Sequence, residues 1–131
     1  MKVYVAGKFE KKELVRAIYK RFQDLGHELS YDWTLHKPIK PYIENPDMAK
    51  IYSERELDGI LGCDIFVYLS DDAGTTLNME FGAALAFLKN NGRPKIFVVG
   101  EFNDKSPWFF NDLVVRVSTV EDMFLEVDGL R

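Results

Sequence analysis

Apolar residues recur along this chain in two alternating rhythms. Short unbroken runs at Lys2–Ala6, His27–Tyr31, Asp64–Leu69, Lys95–Val99 and Leu113–Val117 are rich in Val, Ile, Phe and Tyr, and they read as strands. Between them the spacing turns helical. Leu14, Val15, Ile18, Phe22 and Leu25 with charges interspersed predict a helix over Lys11–Leu25, closed by Gly26. Pro46-Asp47 opens a second helix running to Leu61, with Met48, Ile51, Tyr52, Leu57, Ile60 and Leu61 as its apolar residues. A third starts at Thr75-Thr76 and ends at Asn90-Asn91-Gly92, and a fourth covers Val120–Val127. Two stretches have neither rhythm: Asp32–Pro46, with Pro38, Pro41 and Pro46, and Gly100–Asp112, with Trp108, Phe109 and Phe110. Irregular connections this long inside a compact domain are usually functional or mobile.

Strands alternating with helices imply right-handed crossovers and a sheet covered on both faces. The expected fold is α/β, a flavodoxin- or Rossmann-like three-layer sandwich with a five-stranded, mostly parallel sheet, forming one domain over residues 1–131. Asp64–Leu69 is apolar after its first residue, as suits a central strand. Such sheets take ligands at the carboxyl ends of their strands. That rule selects Ala6-Gly7-Lys8-Phe9, Asp32-Trp33, Ser70–Gly74 and the segment after Val99 as site walls.

Composition removes several classes of partner. A net charge of −4 argues against a nucleic-acid groove or an anionic membrane surface. No apolar run is long enough to span a bilayer, and no signal peptide is visible. The single cysteine, Cys63, rules out an intramolecular disulfide and suits a reducing compartment, so a cytoplasmic location is expected. Gly7 begins no G-x-G-x-x-G and no Walker motif is present. The first strand ends without an acidic pair, and no G-x-S-x-G elbow occurs. His27, His36 and Cys63 lack ligand spacing, so neither a metal nor an organic cofactor is called for.

What remains is carboxylates. In Asp71–Leu88 a turn, Asp71–Gly74, leads into a helix that is apolar on nearly every face and so predicts burial, with Glu80 inside it. A buried charge is costly unless paired or functional. Glu80 is either a nucleophile, held ionised by the nearby helix N-terminus, or a residue that complements that dipole. Glu56 on the preceding helix and Asp71 and Asp72 at the turn are further acids. Retaining glycoside chemistry needs one carboxylate as nucleophile and a second acid for the leaving group. Glu56 could fill the second role or be an ordinary solvated residue.

These segments resemble the nucleoside 2-deoxyribosyltransferases and the related deoxynucleoside-5′-monophosphate N-hydrolases over most of the chain. Val3-Tyr4-Val5-Ala6-Gly7-Lys8-Phe9 is similar to the family's Y-x-A-G-x-F strand. Glu56-Leu57-x-Gly59-Ile60 followed by Cys63-Asp64 is similar to D-L-x-G-I and A-D. Asp72-x-Gly74-Thr75 leading to Glu80-Phe81-Gly82-Ala83-Ala84-Leu85-Ala86 resembles D-x-G-[ST] and E-x-G-x-A-x-A. The resemblance implies that Glu80 is the nucleophile forming a glycosyl-enzyme and that Glu56, where the family usually has Asp, assists at the sugar or the leaving base. It implies that Asp72 contacts or protonates the base, although the family often has two fewer residues between the glycine and the Glu. Tyr4 would orient Glu80 or the sugar, or else be a core aromatic. Gly7, Lys8, Phe9, Gly74 and Thr75 would bind substrate, and Asp32 and Trp33 would line the base pocket. An Asn reaching a neighbouring subunit's site has Asn111 and Asn103 as candidates, which makes a homo-oligomer with shared sites the expected assembly. Lys8 and Thr75-Thr76 could hold a 5′-phosphate whereas Glu10 would repel it, which favours a free nucleoside or a modified base. The implied partner is a small nucleoside or nucleotide, and the reaction is N-glycosidic cleavage with transfer to another base or to water. Two other readings stay open: a non-catalytic nucleoside-binding or sensing module on the same fold, and an interaction module using Trp108-Phe109-Phe110.

Overall fold

The computed structural model describes residues 1–129. β1 (Lys2–Ala6), β2 (Glu28–Leu29), β3 (Ile65–Leu69), β4 (Lys95–Val99) and β5 (Val114–Val117) form one five-stranded sheet in the order β2-β1-β3-β4-β5. Every pairing in it is parallel. The helices are α1 (Lys12–Asp24), α2 (Pro46–Leu61), α3 (Thr75–Asn91) and α4 (Val120–Asp128). Phe22 of α1 packs on Phe124 of α4 with ring centroids 4.7 Å apart, and Arg21 pairs with Glu121 across the same seam. α2 and α3 pack together on the other face, completing the three layers. No described helix is long and apolar enough to cross a membrane.

The strands form where unbroken β-branched and aromatic runs can be buried from both sides, and β3 is buried along its whole length. β2 is shorter than its apolar run predicts, although Ser30 N–H still donates to the Val3 carbonyl at 3.0 Å. The irregular segment after it holds two short 3-10 turns, Trp33–Leu35 and Tyr42–Glu44. Strand order reverses at β1/β3, the position where open parallel sheets leave a crevice beyond the strand ends.

One expectation is corrected. α3 is not buried all round: Leu77, Phe81, Ala84 and Leu85 form its inward stripe, while Met79 is 67% exposed. Apolarity on every face does not bury a helix that only one sheet face and one neighbouring helix cover. α2 behaves likewise. Met48, Ile51 and Leu57 are exposed, and its inward stripe is Tyr52, Glu56, Gly59 and Ile60 at i, i+4, i+7 and i+8.

Gly59 sets how closely α2 approaches β1. A Cβ built there would lie 2.7 Å from Tyr31 Cβ and 3.2 Å from Tyr4 Cδ2. Gly59→Ala is expected to cost about 1–3 kcal/mol through overpacking, less up to about 1 kcal/mol regained from helix propensity. An unchanged urea midpoint would contradict this close contact.

Candidate active site

Beyond the carboxyl ends of β1 and β3 lies a cleft of about 940 Å3. Its walls come from the loops after those strands, the segment 36–42, α2 and the first turns of α3. Gly7, Lys8, Phe9, Trp33, Gly74 and Thr75 line it, as do Glu56 and Glu80. Gly74 caps α3 with φ +139°, a conformation that side chains resist, and carries the chain from the β3 loop into the helix.

Glu80 is the sixth residue of α3, counting Thr75 as the first, so it lies past the first turn where the helix dipole acts. Burial dominates its ionisation instead: desolvation, then the charge of Glu56, raise its carboxyl to about 8, against the lowering effect of the Tyr4 hydroxyl. Where the helix N-terminus favours an ionised Glu80, burial favours its protonated form. Burial also raises Glu56, and its interaction with Glu80 works in the opposite direction. Two buried carboxyls whose ionisation is this strongly linked titrate as a pair, and burial opposes removal of its last proton.

Tyr4 lies behind the pair and does not line the cleft. It is fully buried, its ring stacks parallel to Phe66, and its hydroxyl has no well-formed hydrogen bond. Burial, followed by the charges of Glu80 and Glu56, pushes its phenol well above the ordinary range. Tyr4 thus serves both as a core aromatic and as a neutral hydroxyl facing the carboxylates.

His36, which no spacing argument selected, belongs to the same array. Its Nδ1 is 3.5 Å from Glu56 Oε1, its Nε2 meets the Tyr31 hydroxyl, and its ring stacks on Tyr52 at 3.7 Å. Burial, then the charge of Arg55, lower its pKa, so the imidazole is neutral at physiological pH. The only hint in the sequence was its place within the long irregular connection, which has no periodicity to show where a side chain points.

Other sequence-selected residues are placed differently. Asp32 is committed to local structure, accepting hydrogen bonds from Thr34 N–H at 3.0 Å and from the Thr34 hydroxyl. Asp72 is exposed and is not part of the cleft wall. Asp71, beside it, forms ion pairs with Lys8 at 3.0 Å and Lys11 at 3.3 Å. Burial alone would raise Asp71, but the Lys8 ammonium, the Ala73 N–H and the Lys11 ammonium outweigh it and hold the carboxyl far below the usual range. Trp33 does two jobs: its Nε1–H donates to the Val5 carbonyl at 2.6 Å, and its ring contributes to the cleft wall.

Asn111 accepts Leu113 N–H at 2.9 Å and lines a separate shallow pocket beside Trp108 and Phe110. Asn103 donates to the Val117 carbonyl at 3.0 Å and is likewise outside the cleft. The aromatic run is split: Phe109 is buried against Tyr68 and Phe81, while Trp108 and Phe110 are exposed. Among the described residues, no three His, Cys, Asp or Glu side chains converge as a metal-binding group would.

No family model and no curated protein matches the chain. Among solved structures, it is similar to a CMP N-glycosidase of Clostridium botulinum, with 16% sequence identity, a TM-score of 0.64 and 100% of each chain covered. At that identity, the likeness is one of fold.

Proposed function

We propose that the protein cleaves the N-glycosidic bond of a nucleoside or nucleotide, with Glu80 as nucleophile and Glu56 as its acid–base partner. The observation that carries this reading is the Glu80–Glu56 pair, held in a cleft at the switch in strand order with the Tyr4 hydroxyl behind it. The pair's single proton first passes from Glu80 to Glu56, and the ionised Glu80 then attacks the anomeric carbon. The carbon–nitrogen bond breaks, its electron pair leaves with the base, and the proton on Glu56 passes to the departing nitrogen. An acceptor, either water or a second base, then attacks the same carbon. It releases Glu80 and returns its proton to Glu56. Asp72 has no part in this scheme because it stands outside the cleft wall. Neutral His36 orients the Glu56 carboxyl. A role for Asn111 requires a second protomer, as in a homo-oligomer with shared sites. The fold likeness to a CMP N-glycosidase supports the reading at the level of architecture.

One observation favours a second reading, a nucleoside-binding module without turnover. Burial favours the protonated form of Glu80, and a neutral carboxylic acid binds a ligand better than it attacks one. The test is to incubate the protein with a panel of deoxynucleosides and their 5′-monophosphates, with and without a second free base, and follow products by chromatography. Release of free base is expected. A new nucleoside in the two-base samples would identify a transferase, and release alone a hydrolase. Calorimetric binding without any product would replace the enzymatic reading with the binding module.

A further inference from the structure

Tyr31 is not part of the cleft wall, yet it meets the array that lines it. Two contacts fix its backbone. The Tyr31 carbonyl accepts the Tyr19 hydroxyl at 3.0 Å, and the missing side chain of Gly59 leaves room for its Cβ. Its own hydroxyl meets His36 Nε2, with the two rings tilted at 51° and their centroids 5.4 Å apart. Tyr52 clamps the same imidazole by stacking within 4° of parallel, and its hydroxyl accepts the N–H of Lys37, the next residue. The ring is thus held with Nδ1 towards Glu56 Oε1 and Nε2 towards Tyr31. Burial keeps it neutral, with Arg55 acting in the same direction and Asp32 against. A neutral imidazole has one N–H, so one ring nitrogen donates and the other accepts.

The neighbours decide which nitrogen donates. With the pair's single proton on Glu80, Glu56 is a carboxylate, and a ring lone pair aimed at it would set two acceptors face to face. A hydrogen on Nδ1 makes that contact favourable. Nε2 must then accept, and the Tyr31 hydroxyl is the donor it meets. Burial raises the Tyr31 phenol, so it keeps its hydrogen at neutral pH. We propose that Tyr31 is a positioning residue: it locks His36 in the Nδ1–H tautomer, which occupies Glu56 Oε1 and reserves Oε2 for the proton that Glu56 delivers. The inference rests on the acid–base role given to Glu56 above. As Glu56 gives its proton to the departing base, negative charge grows on Oε1, and the 3.5 Å contact from Nδ1 shortens into a hydrogen bond. The Nδ1 hydrogen stays on His36 throughout, so the proton count of the reaction is unchanged.

The lock has a spectroscopic signature that needs no substrate. The chain has two histidines, His27 and His36, so the ring-nitrogen signals that disappear in His36→Gln belong to His36. Nitrogen NMR of labelled protein separates a ring nitrogen that carries hydrogen from one that does not. At about pH 7.5, above the ordinary histidine range, His36 of the ligand-free protein is expected as the Nδ1–H tautomer, the minor form of free histidine in water. Tyr31→Phe keeps the ring and removes the donor, and it is expected to return His36 towards Nε2–H. A thermal melt checks the variant's fold, and the wild-type spectrum decides the tautomer even where the variant fails to fold. With a nucleoside that reacts, Tyr31→Phe is expected to lower kcat about tenfold, against the ~100-fold or more that a general acid supplies. KM should be unchanged, because Tyr31 is not on the cleft wall. Nε2–H as the main wild-type form, or Nδ1–H retained in Tyr31→Phe, overturns the lock. A shifted tautomer with unchanged kcat overturns its part in positioning Glu56. Absence of product with the wild-type protein removes the glycosidase reading instead, and the spectra alone then uphold or overturn the lock.

Discussion

Glu80→Gln is expected to lower turnover by at least about a thousandfold while leaving the protein folded. The amide has nearly the same size and shape as the carboxyl, so the cleft and the α3 stripe of Leu77, Phe81, Ala84 and Leu85 stay packed. What is lost is the anionic oxygen that forms the bond to the anomeric carbon, and no other acid on the cleft wall is placed to replace it. Glu56 approaches from α2, and Glu10 lines the cleft from the 3-10 turn after β1, on a different element from Glu80. The melting temperature should hold or rise, because the substitution removes a group whose ionisation burial opposes. Product formation and a thermal melt on the same preparation separate the possibilities. Activity within tenfold of wild type would remove Glu80 as nucleophile. Loss of activity together with a collapse in melting temperature would make Glu80 a structural residue.

How much of this site could be read from the sequence depends on whether the information is local. β3, β4 and the start of α3 follow from runs of apolar residues, and the parallel sheet follows from their alternation with helices. Glu80 stood out as a lone acid in an apolar run, and the cleft does contain it. Its charge state did not follow, because the helix dipole is visible in sequence whereas desolvation depends on what α2 and β1 bring to the same place. Glu56 carried an unused signal. It shares a stripe with Tyr52, Gly59 and Ile60, and a residue on that stripe faces inward. His36 and Asp32 both lie in a stretch without periodicity, where only three-dimensional contacts show that one meets Glu56 and the other caps a turn. The exposed stripes of α2 and α3 were illegible for the opposite reason: apolarity states what a residue tolerates, and the number of covering layers decides what is buried.

The ligand-free protein is expected to lose stability as pH rises from 6.5 to 8.5, and Glu80→Gln to remove most of that loss. Burial holds the folded-state carboxyl of Glu80 at about 8, against an ordinary value of 4.5. Between those values the folded protein holds a proton that the unfolded chain has released. The associated stability is fully present below about 4.5 and is lost as pH climbs through the folded value, with a slope of up to about 1.4 kcal/mol per pH unit for one proton. Glu56, also raised, contributes with the same sign. Three other groups define the useful window. His36 is lowered from 6.5, so its contribution is present above that pH and lost below it, which opposes the carboxyls on the acid side. Asp71 is depressed from 3.8 and acts only at strongly acid pH. Cys63, raised from 9.0 to about 12, removes stability at alkaline pH. Between 6.5 and 8.5 the carboxyl pair is the main contributor among these groups, and the difference between wild type and Glu80→Gln cancels the rest. Urea unfolding at closely spaced pH values should give curves that diverge across this range, with the variant flatter. Parallel curves would mean that Glu80 ionises as freely in the fold as in the unfolded chain. The pair could not then hold the proton that the leaving base requires.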